Sequence, residues 1–174
     1  LRDAFSFHPP YYHFDDDALQ GTNYYEYGPQ NSRGFRALKV WLALRQMGRS
    51  GYERMLADDI DLARALYTGL EAYPELHPMT QGLSITTFRY IPADLTPGSE
   101  NVDAYLNALN EELLDTLQHS GELFISNAVI HGTYALRACI VNFRTTMEDI
   151  LQLPEIVLRH GAAIDRRLRP GHGL

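Results

Sequence analysis

Apolar residues recur along most of the chain at spacings that separate helix from strand. Leu38, Trp41, Leu42 and Met47 line one side of a helix that Asn31 and Ser32 can cap and Gly48 ends. Leu56, Ile60, Ala63, Tyr67 and Leu70 form the stripe of a second helix over 51–73, stopped by Pro74. The β-branched and aromatic run over 83–91 predicts a strand. After a Pro-Gly-Ser turn at 97–99, Val102, Tyr105, Leu106, Leu109, Leu113 and Leu117 predict a third helix over 101–118, closed by Gly121. Strands over 123–130 and 134–143 flank His131 and Gly132, a connection short enough for an antiparallel hairpin. A last helix starts near Thr146. Thr145 or Thr146 can cap it and Glu148 and Asp149 suit its first turn, whereas Pro154 is expected to kink it or begin a second segment and 169–174 to fray.

The order of elements predicts an α+β fold: an antiparallel sheet with helices packed on one face, preceded by an aromatic-rich loop and two helices. The loop, 1–31, has no sustained period, yet it carries Phe5, Phe7, Tyr11, Tyr12, Phe14, Tyr24, Tyr25 and Tyr27. So aromatic a stretch needs a surface to pack on, as lids and interface arms do. The expected organisation is a loop segment at 1–31, a helical connection at 32–82, an α+β domain at 83–168 and a tail at 169–174.

Charge narrows the partners. The net charge of −7 is spread along the helices, which argues against nucleic acid or an anionic membrane surface. No apolar run approaches the ~20 residues of a membrane span, and Cys139, the single cysteine, permits no intrachain disulfide. With no leader pattern either, the composition suggests a soluble, reducing, cytoplasmic setting. Leu1 in place of an initiator methionine hints at a fragment. Lys39 is the one lysine, so Schiff-base chemistry would need Lys39 or another chain.

The seven histidines are scattered, with no spacing that predicts a metal site. Two residues stand out. Arg137 lies in an otherwise mostly apolar strand, where a guanidinium is costly to bury without an anion. It has an internal ion pair or a snorkelling edge position as one reading and an anionic ligand as the other. Tyr11 is either an amphipathic contact or, since a phenol with a pKa of about 10 stays protonated at neutral pH, a general acid.

Three segments in order, AFSFHPPYY at 4–12, SRGFRALKVW at 32–41 and ALRACIVNFRTT at 135–146, resemble the group II pyridoxal-phosphate-dependent decarboxylases, and within them the aromatic-L-amino-acid enzymes. The likeness covers 1–168, and R-x-F-R-x-L-K-x-W is specific to the family. It implies the C-terminal small domain of a fold-type I enzyme, with pyridoxal 5'-phosphate anchored by a lysine outside this chain. The partners it implies are the large-domain polypeptide of the same enzyme, a second copy in a homodimer and an amino-acid substrate. Lys39 falls on a family position that is not the anchor.

By the same resemblance, Tyr11 matches a mobile-loop tyrosine that donates a proton after carbon dioxide leaves, with Tyr12 as the alternative one register on. Relatives with phenylalanine there make aldehydes. Arg137 matches a strand arginine that pairs with the substrate α-carboxylate. Ser32, with Asn31 beside it, matches a helix start that approaches the cofactor phosphate, although Asn31-Ser32 departs from the Leu-Gly of animal enzymes and Gly34 replaces a frequent arginine. Glutamate, diaminobutyrate or another aliphatic substrate remains open, as does a non-catalytic ligand- or partner-binding α+β module.

Overall fold

The computed structural model of the chain describes residues 1–6, 24–30, 32 and 34–172. They divide into two compact units, with the boundary between Gly48 and Arg49. Tyr11 and Asn31 lie outside the described residues.

The first unit contains a short helix, α1 (Arg2–Phe5), and a 3-10 turn, Tyr24–Tyr27, so the segment expected to be an unstructured loop carries local helical structure. Arg2 Nε donates to Glu26 Oε2 at 2.6 Å, and the paired charge allows Glu26 to be buried. Helix α2 (Arg36–Leu70) begins here and is interrupted at Gly48, whose φ of 64° and ψ of 176° belong to no helix. Glycine reaches that conformation without a Cβ penalty, which is why the helical period restarts there. The expected cap at Ser32 needs correcting: the first helical residue is Arg36, and Ser32 is exposed four positions ahead of it. Every residue of α2 from Arg36 to Gly48 is exposed, Trp41 at 56%.

The second unit holds a four-stranded antiparallel sheet in the order β1-β2-β4-β3, with β1 (Leu76–Gly82), β2 (Ile85–Tyr90), β3 (Ser126–Ile130) and β4 (Thr133–Cys139). Strand β1 was not expected from the sequence. Its Pro78 argues against a strand, and the structure accommodates it at the sheet edge, beside a register shift between Pro78 and Thr80. The expected division after residue 82 therefore falls inside the β1–β2 hairpin. Strands β3 and β4 are joined as expected through His131 and Gly132, at φ of 50° and 81°; two successive left-handed residues make the turn whose twist matches a hairpin.

Facing pairs Leu76–Tyr90, Phe88–Leu136 and Thr86–Ala138 are all buried. The core they join includes Leu66 and Leu70 of α2, Tyr105, Leu109 and Leu113 of α3 (Glu100–Ser120), and Val157 of α4 (Met147–His172). Ser99 Oγ caps α3 by accepting from Val102 N, and Gly121 closes it at φ 76°. At the start of α4, the Thr146 N–H and hydroxyl both donate to Asp149 Oδ2 at 2.8 Å, and Asp149 N donates back to Thr146 Oγ1. Two expectations fail in this helix. It is continuous through Pro154, and it runs into the expected tail as far as His172. Arg169 explains the second: its guanidinium donates to Asp165 and to Asp94, which neutralises the last turns and fastens them to the loop after β2.

Candidate functional site

Strand β4 lies between two others, and Arg137 sits near its middle, opposite Thr87 of β2 and Ser126 of β3. Thr87 in turn faces Thr80 of β1. Directly opposed residues project from the same side of a sheet, so Thr80, Thr87, Arg137 and Ser126 form a polar row across all four strands. The Thr80 and Thr87 hydroxyls bond each other at 2.6 Å, and Thr87 Oγ1 also accepts from Thr80 N at 3.0 Å. Arg137 is half-buried and donates from Nη1 to Ser126 Oγ at 3.3 Å.

Among the described residues no carboxylate pairs with Arg137, whereas Arg2, Arg49, Arg64, Arg159, Arg167 and Arg169 are all paired with one. The internal ion pair that would have made Arg137 structural is absent from them. A half-buried guanidinium with one hydroxyl acceptor keeps most of its donors and its full positive charge for an anion, and a carboxylate matches its planar fork.

A second arginine obeys the same signal and was passed over in the sequence. Arg89 interrupts the run over 83–91 and is 5% exposed. Its Nη2 donates to Asn107 Oδ1 at 2.7 Å and reaches the Asp103 carbonyl at 3.4 Å, while Nε has no hydrogen-bond partner. Burial pushes this guanidinium below its ordinary pKa, against the pull of Asp103. Asn107 Oδ1 also accepts from Tyr134 N at 2.9 Å, so Arg89 braces the start of the strand that carries Arg137.

A cleft of about 310 Å³ opens between the α3–β3 loop, the end of β4 and the start of α4, lined by residues that include Glu122, Phe124, Cys139, Arg144 and Asp149. Arg137 does not line it. Among the described residues no three His, Cys, Asp or Glu side chains come together as a metal site, and no helix is long and apolar enough to cross a membrane.

The described residues of this chain do not by themselves make a pyridoxal phosphate site. Lys39 is exposed on α2, and Ser32 lies ahead of the helix rather than at its N-terminus, where backbone N–H groups would converge on a phosphate. Of the four residues singled out in the sequence, Arg137 is given a definite setting, Ser32 loses its cap, and Tyr11 and Asn31 are outside the described residues.

Against known proteins, the pyridoxal-dependent decarboxylase conserved domain matches residues 1–91, more than half of the 174. An aromatic-L-amino-acid decarboxylase of Bacillus atrophaeus is 32% identical over 155 residues, covering 88% of this chain and 31% of the relative. The chain thus spans about a third of that enzyme's length. Among solved structures, the Oryza sativa TDC with PLP and tryptamine aligns with a TM-score of 0.70 at 17% identity, over 94% of this chain and 33% of its own. Mouse CSAD gives 0.73 at 20% identity, over 92% and 34%. The α+β architecture is therefore that of the matching part of these structures, and the chain belongs to the pyridoxal-dependent decarboxylase family.

Proposed function

We propose that this chain is the C-terminal part of a pyridoxal-phosphate-dependent decarboxylase that converts an L-amino acid, of the aromatic class, to its amine and carbon dioxide. The observation that carries the reading is the half-buried guanidinium of Arg137 near the middle of β4, which no carboxylate among the described residues pairs with and which is left to take the α-carboxylate of the substrate. The cofactor would supply the electron sink for the reaction, and Arg137, by fixing the carboxylate, would set which bond of the substrate is held for cleavage and so favour decarboxylation. Tyr11 supplies the proton that replaces the carboxylate, and the segment of Asn31 and Ser32, ahead of α2 rather than at its first turn, approaches the cofactor phosphate once the remaining polypeptide is in place. The anchoring lysine belongs to a segment outside these 174 residues.

One feature supports a larger assembly. The exposed apolar residues of α2, Val40, Trp41, Leu42 and Leu44 among them, form a surface a water-soluble chain covers with protein; the large domain and a second copy of the enzyme, in a cytoplasmic homodimer, are the occupants we assign. The 32% identity to the Bacillus enzyme supports the aromatic class. The fold by itself does not choose the substrate. The test is to supply the full-length enzyme with tyrosine, tryptophan, DOPA and glutamate in turn and measure amine and carbon dioxide. Equal amounts of both from the aromatic acids support the reading, and release from glutamate alone overturns the substrate class.

A further inference from the structure

We propose that Ser126 is a positioning residue for Arg137, holding its guanidinium in the orientation that grips the substrate carboxylate; this rests on the reading of Arg137 given above. Ser126 and Arg137 are direct cross-strand partners, and the contact between them runs both ways. Ser126 Oγ donates to the Arg137 carbonyl at 3.3 Å and accepts from Arg137 Nη1 at 3.3 Å. A serine hydroxyl has one hydrogen to give. Once it is committed to the backbone of residue 137, the oxygen's lone pairs are turned toward the same residue's guanidinium, and the side chain is tied back to its own strand.

The other flank of Arg137 makes this assignment specific. Thr87, facing Arg137 from β2, carries a hydroxyl too, but that hydroxyl is engaged by Thr80 Oγ1 at 2.6 Å and Thr80 N at 3.0 Å. Ser126 is thus the side chain that holds Arg137 among the described residues. Both flanking residues are small and uncharged, so they order the guanidinium without neutralising it. An aspartate in place of Ser126 would hold it more tightly and remove the charge an incoming carboxylate needs. A long side chain with unrestricted rotamers loses much of its binding contribution to ordering, and one fixed hydrogen bond on the non-ligand side reduces that loss.

The experiment is steady-state kinetics on the full-length enzyme. Ser126→Ala is expected to raise KM for the amino acid about five- to tenfold while kcat stays within about twofold. Ser126→Thr, which keeps the hydroxyl on a residue suited to strands, is expected to restore KM. In an Arg137→Lys background, where no Nη1 exists, Ser126→Ala is expected to add no further rise. Unchanged KM in Ser126→Ala, alongside an impaired Arg137→Met, overturns the role of Ser126 and leaves the carboxylate reading standing. Ordinary kinetics in Arg137→Met overturns both. A Ser126→Ala enzyme that loses kcat and thermal stability together, without rescue by threonine, shows a merely structural serine and also overturns the proposal.

Discussion

Gly161 of α4 lies so close to Tyr90 of β2 that a Cβ at position 161 would stand 2.8 Å from both Cδ1 and Cε1 of the tyrosine ring. Tyr90 is buried, and burial, with Asp165 nearby, pushes its phenol up to about 12. The helix can rest on the sheet at this point because residue 161 has no side chain. Gly161→Ala is a test of that contact. Helix propensity alone would make the change stabilising by about 1 kcal/mol, yet the ring is held in a packed core and cannot yield freely. The expected result is net destabilisation of about 1–3 kcal/mol, read as a lower urea midpoint. Tyr90→Val in the same chain should recover part of the loss, and a stabilised Gly161→Ala would show that the two elements can move apart.

Asn110 is fully buried and bridges α3 to β2: Oδ1 accepts from Tyr90 N at 2.9 Å, and Nδ2 donates to the carbonyls of Tyr90 and Leu106 at 2.8 Å. Asn110→Leu keeps similar volume but leaves the Tyr90 N–H and carbonyl without this partner, at a cost of about 1–3 kcal/mol for each group left unsatisfied. Chemical denaturation should show the shift, with faster exchange of the Tyr90 amide hydrogen.

Three carboxylates fasten α4 along its length, and each is held below the ordinary carboxylate range. Asp149 is lowered by the Thr146 N–H and hydroxyl, Glu122 by His160 and then Arg159, and Asp94 by its bond to Arg169. A carboxyl whose folded value is depressed contributes stability that is complete above its unfolded value, near 4. That contribution disappears as pH falls through the folded value. Thermal midpoints are therefore expected to be flat from pH 7 to 5 and to fall below about 4.5. The combined Asp94→Asn, Glu122→Gln, Asp149→Asn chain should show a shallower fall, and because these groups are exposed, high salt should flatten it as well. An acid limb of equal steepness in the triple variant would place the titrating groups elsewhere.

Arg137→Met in the full-length enzyme removes the charge and keeps the stem. If the guanidinium takes the substrate carboxylate, KM rises by about a hundredfold or turnover is lost, in line with removal of a charged partner worth about 3 kcal/mol. Normal kinetics would return Arg137 to a role within the sheet.

Tyr11→Phe removes the phenolic proton and little else. The full-length variant is expected to divert product from amine toward aldehyde, measured by chromatography of both, with oxygen consumed in proportion to the aldehyde. Unchanged amine yield would take Tyr11 out of the reaction.

How much of this was legible in the sequence depends on the range over which each feature is decided. The stripe at Val102, Leu106, Leu109 and Leu113, the Gly48 break, the His131-Gly132 turn and the Thr146 cap are local: period, propensity and capping act within a few residues, so the chain alone determined helices α3 and α4, the β3–β4 hairpin and the α+β class. The anomaly of an arginine inside strand β4 was visible for the same reason. Strand β1 was not, because Pro78 denies a ladder donor and is tolerated only where the sheet happens to end. The ordering of the α4 terminus was not either, since Arg169 finds Asp94 from 75 residues away. The absence of a counter-charge at Arg137, with Ser126 in its stead, was likewise settled by register: any of 22 acidic residues could have faced that strand, and only the three-dimensional pairing decides which one does, or that none of those described does.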